Sequence, residues 1–75
     1  MSRISQAALE GKYVILFFEG EILDLARVIS YSSDDQKYWI ELKTYWIKKY
    51  KVNRNNFKVI KNDKVAKILF DFKRK

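Results

Sequence analysis

The chain has 75 residues, with 16 Lys plus Arg against 9 Asp plus Glu, a net charge of +7, and no Cys, His or Pro. Lacking Cys and His, it can build neither a disulfide nor a thiolate zinc site, and it has no imidazole to act as general base or metal ligand. Its two glycines, Gly11 and Gly20, are too few for a dinucleotide fingerprint or a phosphate-cradling loop.

This length allows one small domain, which hides only roughly 60% of its unfolded surface on folding, so dense packing or oligomerisation must stabilise it. The 5 Phe, 5 Tyr and 2 Trp can supply that packing. The expected layout is an N-terminal helix over residues 1–11, a small barrel over 12–61 and a basic C-terminal helix over 62–75. The longest apolar run, Tyr13 to Phe18, is far short of the roughly 20 residues that span a bilayer, and no apolar segment follows Arg3 as in a secretion signal. A cytoplasmic protein with no membrane partner is the expectation.

In chain order, Ser2 caps a helix over Arg3 to Glu10 that Gly11 stops, with Ile4, Ala7, Ala8 and Leu9 as its apolar side. From Lys12 to Phe18 both alternating sets, Val14/Leu16/Phe18 and Tyr13/Ile15/Phe17, are apolar, which predicts a strand buried on both faces. Glu19-Gly20-Glu21 reads as a turn and Ile22 to Tyr31 as a second strand, although Ile22, Leu25, Ala26 and Ile29 also fall at helical spacing.

After the polar break Ser32 to Asp35, the segment Gln36 to Val52 admits two readings. Ser33 with Gln36 matches a capping box and Lys48, Lys49 and Lys51 suit a helix C-terminus, giving an α+β alternative with a central helix over residues 34–51. Alternation places Tyr38, Ile40, Leu42, Thr44, Trp46, Tyr50 and Val52 on one face, and two strands are preferred. Asn53 to Asn56 is a turn, since Asn tolerates left-handed backbone. Phe57 to Ile60 is a short strand. From Asp63 to Lys75, Val65, Ile68, Leu69 and Phe72 form a helical apolar stripe.

This order resembles a small SH3-type barrel of the Sm-like or Tudor-like kind over Ser2 to Ile60. Val14, Leu16, Gly20, Val28 and Ser30 stand where Sm-like proteins, including the bacterial host-factor RNA chaperones, carry an apolar strand, a Gly and a long bent second strand. Val52 to Ile60 keeps the apolar frame and Asn56 of that family's closing motif, but has Asn53 and Arg54 where Arg and Gly are usual, and the second strand is one residue too long. Ala26 to Tyr31 and Tyr38 to Leu42 fit a Tudor-like barrel equally well. The resemblance implies a mainly β, five-stranded SH3-like/Sm-like barrel and, for the Sm-like kind, a homo-oligomeric ring paired through strand edges.

Charge is divided along the chain. Residues 1–36 carry three basic and six acidic side chains, residues 37–75 thirteen and three. A concentration of this kind favours a polyanion. Its strongest local expression is Lys37-Tyr38-Trp39, Lys43-Thr44-Tyr45-Trp46 and Lys48-Lys49-Tyr50-Lys51, where cations interleave with rings that can stack on unpaired bases. Tyr38, Trp39, Trp46 and Phe57 are also core candidates. If one face exposes rings, alternation nominates Trp39 and Tyr45, beside Lys43, Lys49 and Lys51. The turn Asn53 to Asn56, with Lys51 and Lys58 beside it, is a second candidate, and Lys73-Arg74-Lys75 can trail onto phosphates.

The candidate nucleic-acid-binding set is therefore Lys37, Trp39, Lys43, Tyr45, Lys48, Lys49, Lys51, Asn53, Arg54, Asn55 and Lys58, with no metal, cofactor or catalytic residue. Glu19/Glu21 and Asp34/Asp35 read as solvated turn acids, and Ser32 and Ser33 have no histidine to activate them. The expected function is a non-enzymatic module for single-stranded nucleic acid, RNA slightly ahead of DNA. The alternative is a small protein-interaction module, a phage or mobile-element inhibitor or adaptor docking through its aromatic strands.

Overall fold

The computed structural model describes residues 9–72. Five antiparallel strands, β1 (Tyr13–Phe18), β2 (Glu21–Ser32), β3 (Lys37–Leu42), β4 (Lys49–Val52) and β5 (Phe57–Val59), form one sheet in the order β4-β3-β2-β1-β5, followed by helix α1 (Asp63–Asp71). A single 3-10 turn, Arg54–Asn56, links β4 to β5. The mainly β expectation holds, and Gln36 to Val52 contains two strands rather than the alternative central helix. The N-terminal helix expected over residues 1–11 and the basic end at 73–75 fall largely or wholly outside the described residues. Among the described residues no helix is long and apolar enough to cross a membrane.

The first hairpin follows from its turn. Glu19 and Gly20 both have positive φ, 51° and 82°, the left-handed pair that a two-residue hairpin matching strand twist requires. Gly20 adopts this at no steric cost, whereas Glu19 bears the Cβ penalty.

Opposite β1, the twelve residues of β2 contain two irregularities. Leu16 pairs with Asp24 but Phe17 with Ile22, leaving Leu23 as an extra residue; Val28 pairs with Ile40 but Ser30 with Trp39, leaving Ile29 as another. These bulges absorb the extra length of the second strand and break its period-2 pattern, which is why β2 also carries a helical stripe. Between them Asp24, Ala26 and Val28 point inward. Beyond the second bulge the inward position passes to Tyr31, whose ring meets Tyr38 at 4.9 Å.

The core comprises Val14, Leu16, Ala26, Val28, Tyr38, Ile40, Leu42, Val52 and Phe57, drawn from all five strands. Tyr38 of β3 and Phe57 of β5 meet edge to face at 5.3 Å. Flat strands are spaced about 4.8 Å apart, so two strands separated by β2 and β1 would stand about 14 Å apart. The sheet must therefore curl until its edges converge over one core. It does not close: β4 and β5 remain its two edges. A curled, unclosed sheet is compatible with a small barrel and is the corrected form of the barrel expectation.

Three placements differ from expectation. Phe18 is 60% exposed, because it is the last residue of β1, pairs with Glu21 beside the turn and faces the open end of the sheet. Trp46 is 78% exposed, because β3 ends at Leu42 and β4 starts at Lys49, leaving it on the loop between them. Helix α1 buries Ala66 and Phe70, with Phe70 against Tyr13 at 5.4 Å, and turns its Val65/Ile68/Leu69 stripe to solvent. Packing against β1 and β2 thus selects a side of the helix that its apolar spacing does not.

Candidate ligand groove

Where the curled sheet stays open, a groove of about 410 Å³ runs along its mouth. Its walls are Phe17, Phe18 and Leu23 from the end of the first hairpin, Tyr45 and Ile47 from the β3–β4 loop, Tyr50 from β4, and Asn53 and Asn56 from the turn, with Lys37 and Lys51 alongside. Tyr50 takes the inward position opposite Ile40 but lies at the edge strand, so its ring faces the open mouth instead of closed core.

One buried carboxylate organises the ring-bearing loop. Asp24 lies inward opposite Leu16 and accepts hydrogen bonds from the Thr44 amide (2.9 Å), the Thr44 hydroxyl (2.8 Å), the Tyr45 amide (2.9 Å) and the Leu25 amide (2.8 Å). Burial pushes its carboxyl pKa up, but the Tyr45, Thr44 and Leu25 bonds to the charged form outweigh this and hold it below the usual carboxylate value of 3.8. Among the described residues no buried side-chain nitrogen or oxygen lacks a partner. Two more bonds complete the loop, from the Lys43 amide to the Leu25 carbonyl (2.9 Å) and from the Leu42 amide to the Lys48 carbonyl (2.7 Å). Fixed in this way, Tyr45 stacks on Trp46 with centroids 6.2 Å apart and planes at 29°.

The eleven residues nominated from sequence separate into groups. Lys37, Tyr45, Lys51 and Asn53 line the groove. Trp39 does not share a face with Tyr45: it lines a shallow depression with Ile29, Ser30 and Lys49, with the Lys51 ammonium 5.1 Å from its ring centroid. β3 ends at Leu42, so the alternation that would have joined the two rings does not reach Tyr45 on the loop. Lys43 and Lys48 sit on the β3–β4 loop, where the Lys48 ammonium reaches the Lys43 carbonyl at 3.4 Å. Arg54 donates to the Phe57 carbonyl at 3.0 Å and stacks 4.8 Å from that ring, so it braces β5. Asn55 is exposed in the turn, and the Lys58 ammonium stands 6.0 Å from the Phe17 ring.

Ion pairing thins the nominated charge. Lys51 is bound by Asp35 at 2.7 Å, and that bond, with one from Ser32, lowers the Asp35 pKa. Lys37, Lys48 and Lys58 have no ion-pair partner among the described residues.

Sequence reasoning missed Phe17, Phe18, Leu23, Ile47 and Tyr50 as wall residues, and Asp24 as the organiser of the loop that carries Tyr45, while Asn56 lies in the turn it singled out. Asp24 carried a readable signal, a carboxylate in register with inward Ala26 and Val28. The fold and groove together define a curled, open five-stranded sheet with an aromatic mouth and a cationic rim. Comparison with protein-family models, curated proteins and solved structures gives no match.

Proposed function

We propose that the chain is a non-catalytic module for single-stranded nucleic acid, with bases held in the groove and phosphates on its lysine rim. The observation that carries the proposal is the convergence of Phe17, Phe18, Tyr45 and Tyr50 with Lys37, Lys51, Asn53 and Asn56 on one open groove. Single strands offer π-faces and a charged backbone together, and this groove offers the counterpart of each. Lys48 and Lys58 extend the rim. A slight preference for RNA fits the amides of Asn53 and Asn56, which can pair with 2′-hydroxyls as well as base edges.

Fluorescence anisotropy with labelled single-stranded RNA, single-stranded DNA and duplex DNA at two salt concentrations tests this. Each phosphate neutralised contributes about 0.7 to the slope of log K against log salt. Tyr45→Ala is expected to weaken binding by roughly 1–3 kcal/mol, the worth of one stacked base. Lys37→Ala with Lys48→Ala should flatten the salt slope. No binding at low salt overturns the proposal.

One observation favours a protein partner instead. At the hairpin end of the groove, exposed Phe18, Ile22 and Leu23 adjoin the acidic Glu19 and Glu21, an apolar surface beside acids. Salt-insensitive capture of a protein, lost in Phe18→Ser, would establish that reading.

A further inference from the structure

Helix α1 is apolar on two sides, and among the described residues only one of them is packed. Ala66 and Phe70 fasten it to the sheet, while Val65 (49%), Ile68 (67%) and Leu69 (51%) face solvent. The helix is anchored at its start: the Asn62 side chain caps it by accepting from the Val65 amide at 3.1 Å, and Lys12 reaches Asp63 at 3.4 Å.

The charges beside this stripe are one-sided. Of the two acids on the helix, Asp63 is paired with Lys12 and Asp71 with Lys67, the latter at 2.9 Å. Lys61 and Lys64 have no ion-pair partner among the described residues, and Lys64 lies one helical turn before Ile68 on the stripe's margin. In sequence the helix is followed by Lys73, Arg74 and Lys75.

We propose that this stripe lies on an anionic lipid bilayer, with Val65, Ile68 and Leu69 dipping into the acyl boundary and the neighbouring lysines meeting lipid phosphates. An exposed aliphatic stripe with a basic margin is the chemistry of a helix that lies in the interface plane. The absence of a spanning helix among the described residues bears on crossing a bilayer and leaves lying on one open. Nucleic acid suits the stripe poorly, because it is aliphatic but for Phe72 at the helix end and its side chains offer no hydrogen bond. A second copy suits it poorly. A nine-residue helix is about 13 Å long, too short to supply the roughly 800 Å² per partner of a stable dimer interface. A bilayer needs no matching second surface. The proposal is independent of the groove.

The test is co-sedimentation of the full chain with mixed phosphatidylserine–phosphatidylcholine vesicles and with phosphatidylcholine vesicles alone. Binding to the anionic vesicles is expected, and Ile68→Ser with Leu69→Ser, which leaves the charge unchanged, should lower it roughly 10- to 100-fold. Lys64→Gln should weaken binding to anionic vesicles only. Both sites are exposed, and circular dichroism checks that the variants stay folded. No binding overturns the proposal, as does anionic binding that the serine variant retains, which would reflect net charge alone. A dimer in light scattering that the serine variant dissolves would assign the stripe to a second copy and overturn it too.

Discussion

Asp24 gathers four hydrogen bonds from three residues on two elements, so its removal reaches further than its own strand. Asp24→Ala leaves the Thr44 and Tyr45 donors unpaired and is expected to cost about 1–3 kcal/mol in urea unfolding at neutral pH. The acid dependence follows from the lowered pKa. The contribution is fully present above the unfolded carboxyl value of 3.8 and is lost as pH falls through the lower folded value. Unfolding midpoints from pH 6 downward should therefore fall less steeply in Asp24→Asn than in the parent chain. Half of this was legible in the sequence, since a carboxylate in register with Ala26 and Val28 needs partners. Which partners was not, because Thr44 and Tyr45 lie twenty and twenty-one residues away and meet Asp24 only through the β2–β3 pairing.

At the scale of elements, turns and bulges decide what alternation alone does not. Glu19 sits at φ 51° in a two-residue turn, a position that Asn tolerates far better than Glu. Glu19→Asn is expected to stabilise the protein by on the order of 1 kcal/mol in thermal or urea unfolding. Gly20→Ala at φ 82° should cost about 1–2 kcal/mol although nothing stands within 4 Å of the added methyl, which would identify backbone strain as the cause. β1 was legible as an unbroken apolar run rich in β-branched and aromatic residues and β3 by alternation, whereas β2 places inward residues at every second position only from Asp24 to Val28. Leu23 and Ile29 interrupt that rhythm for reasons of pairing that lie in β1 and β3, outside the strand's own sequence. Likewise, the spacing of Val65, Ile68, Leu69 and Phe72 foretold α1 but not the side it buries, which Tyr13 decides through Phe70.

Over the whole molecule, curling brings residues from both sheet edges into one core, and Phe57 joins them most directly through Tyr38. Phe57→Ala is expected to cost roughly 3–5 kcal/mol, measured by chemical unfolding, and to loosen β5 more than the β2–β3 hairpin, measured by amide exchange. The mainly β class and the asymmetry of charge were legible from composition and period. The groove was not, because its walls come from four separate stretches of chain that converge only where the sheet stays open.

That opening is spanned by the residues Asn53 to Asn56, and no ladder of backbone hydrogen bonds joins β4 to β5 across it. The gap between the edges is thus set by a covalent tether and by side-chain packing such as Phe57 on Tyr38, as the jaws of a calliper are set by slide and screw. Lengthening a surface connection of this size carries only a small entropic cost, on the order of 0.6 kcal/mol for a doubling. Changes in the number of residues between Val52 and Phe57 therefore act on the mouth and on the core together, because both flanking side chains belong to it. A scaffold built this way ties the width of its mouth to the packing that holds its fold.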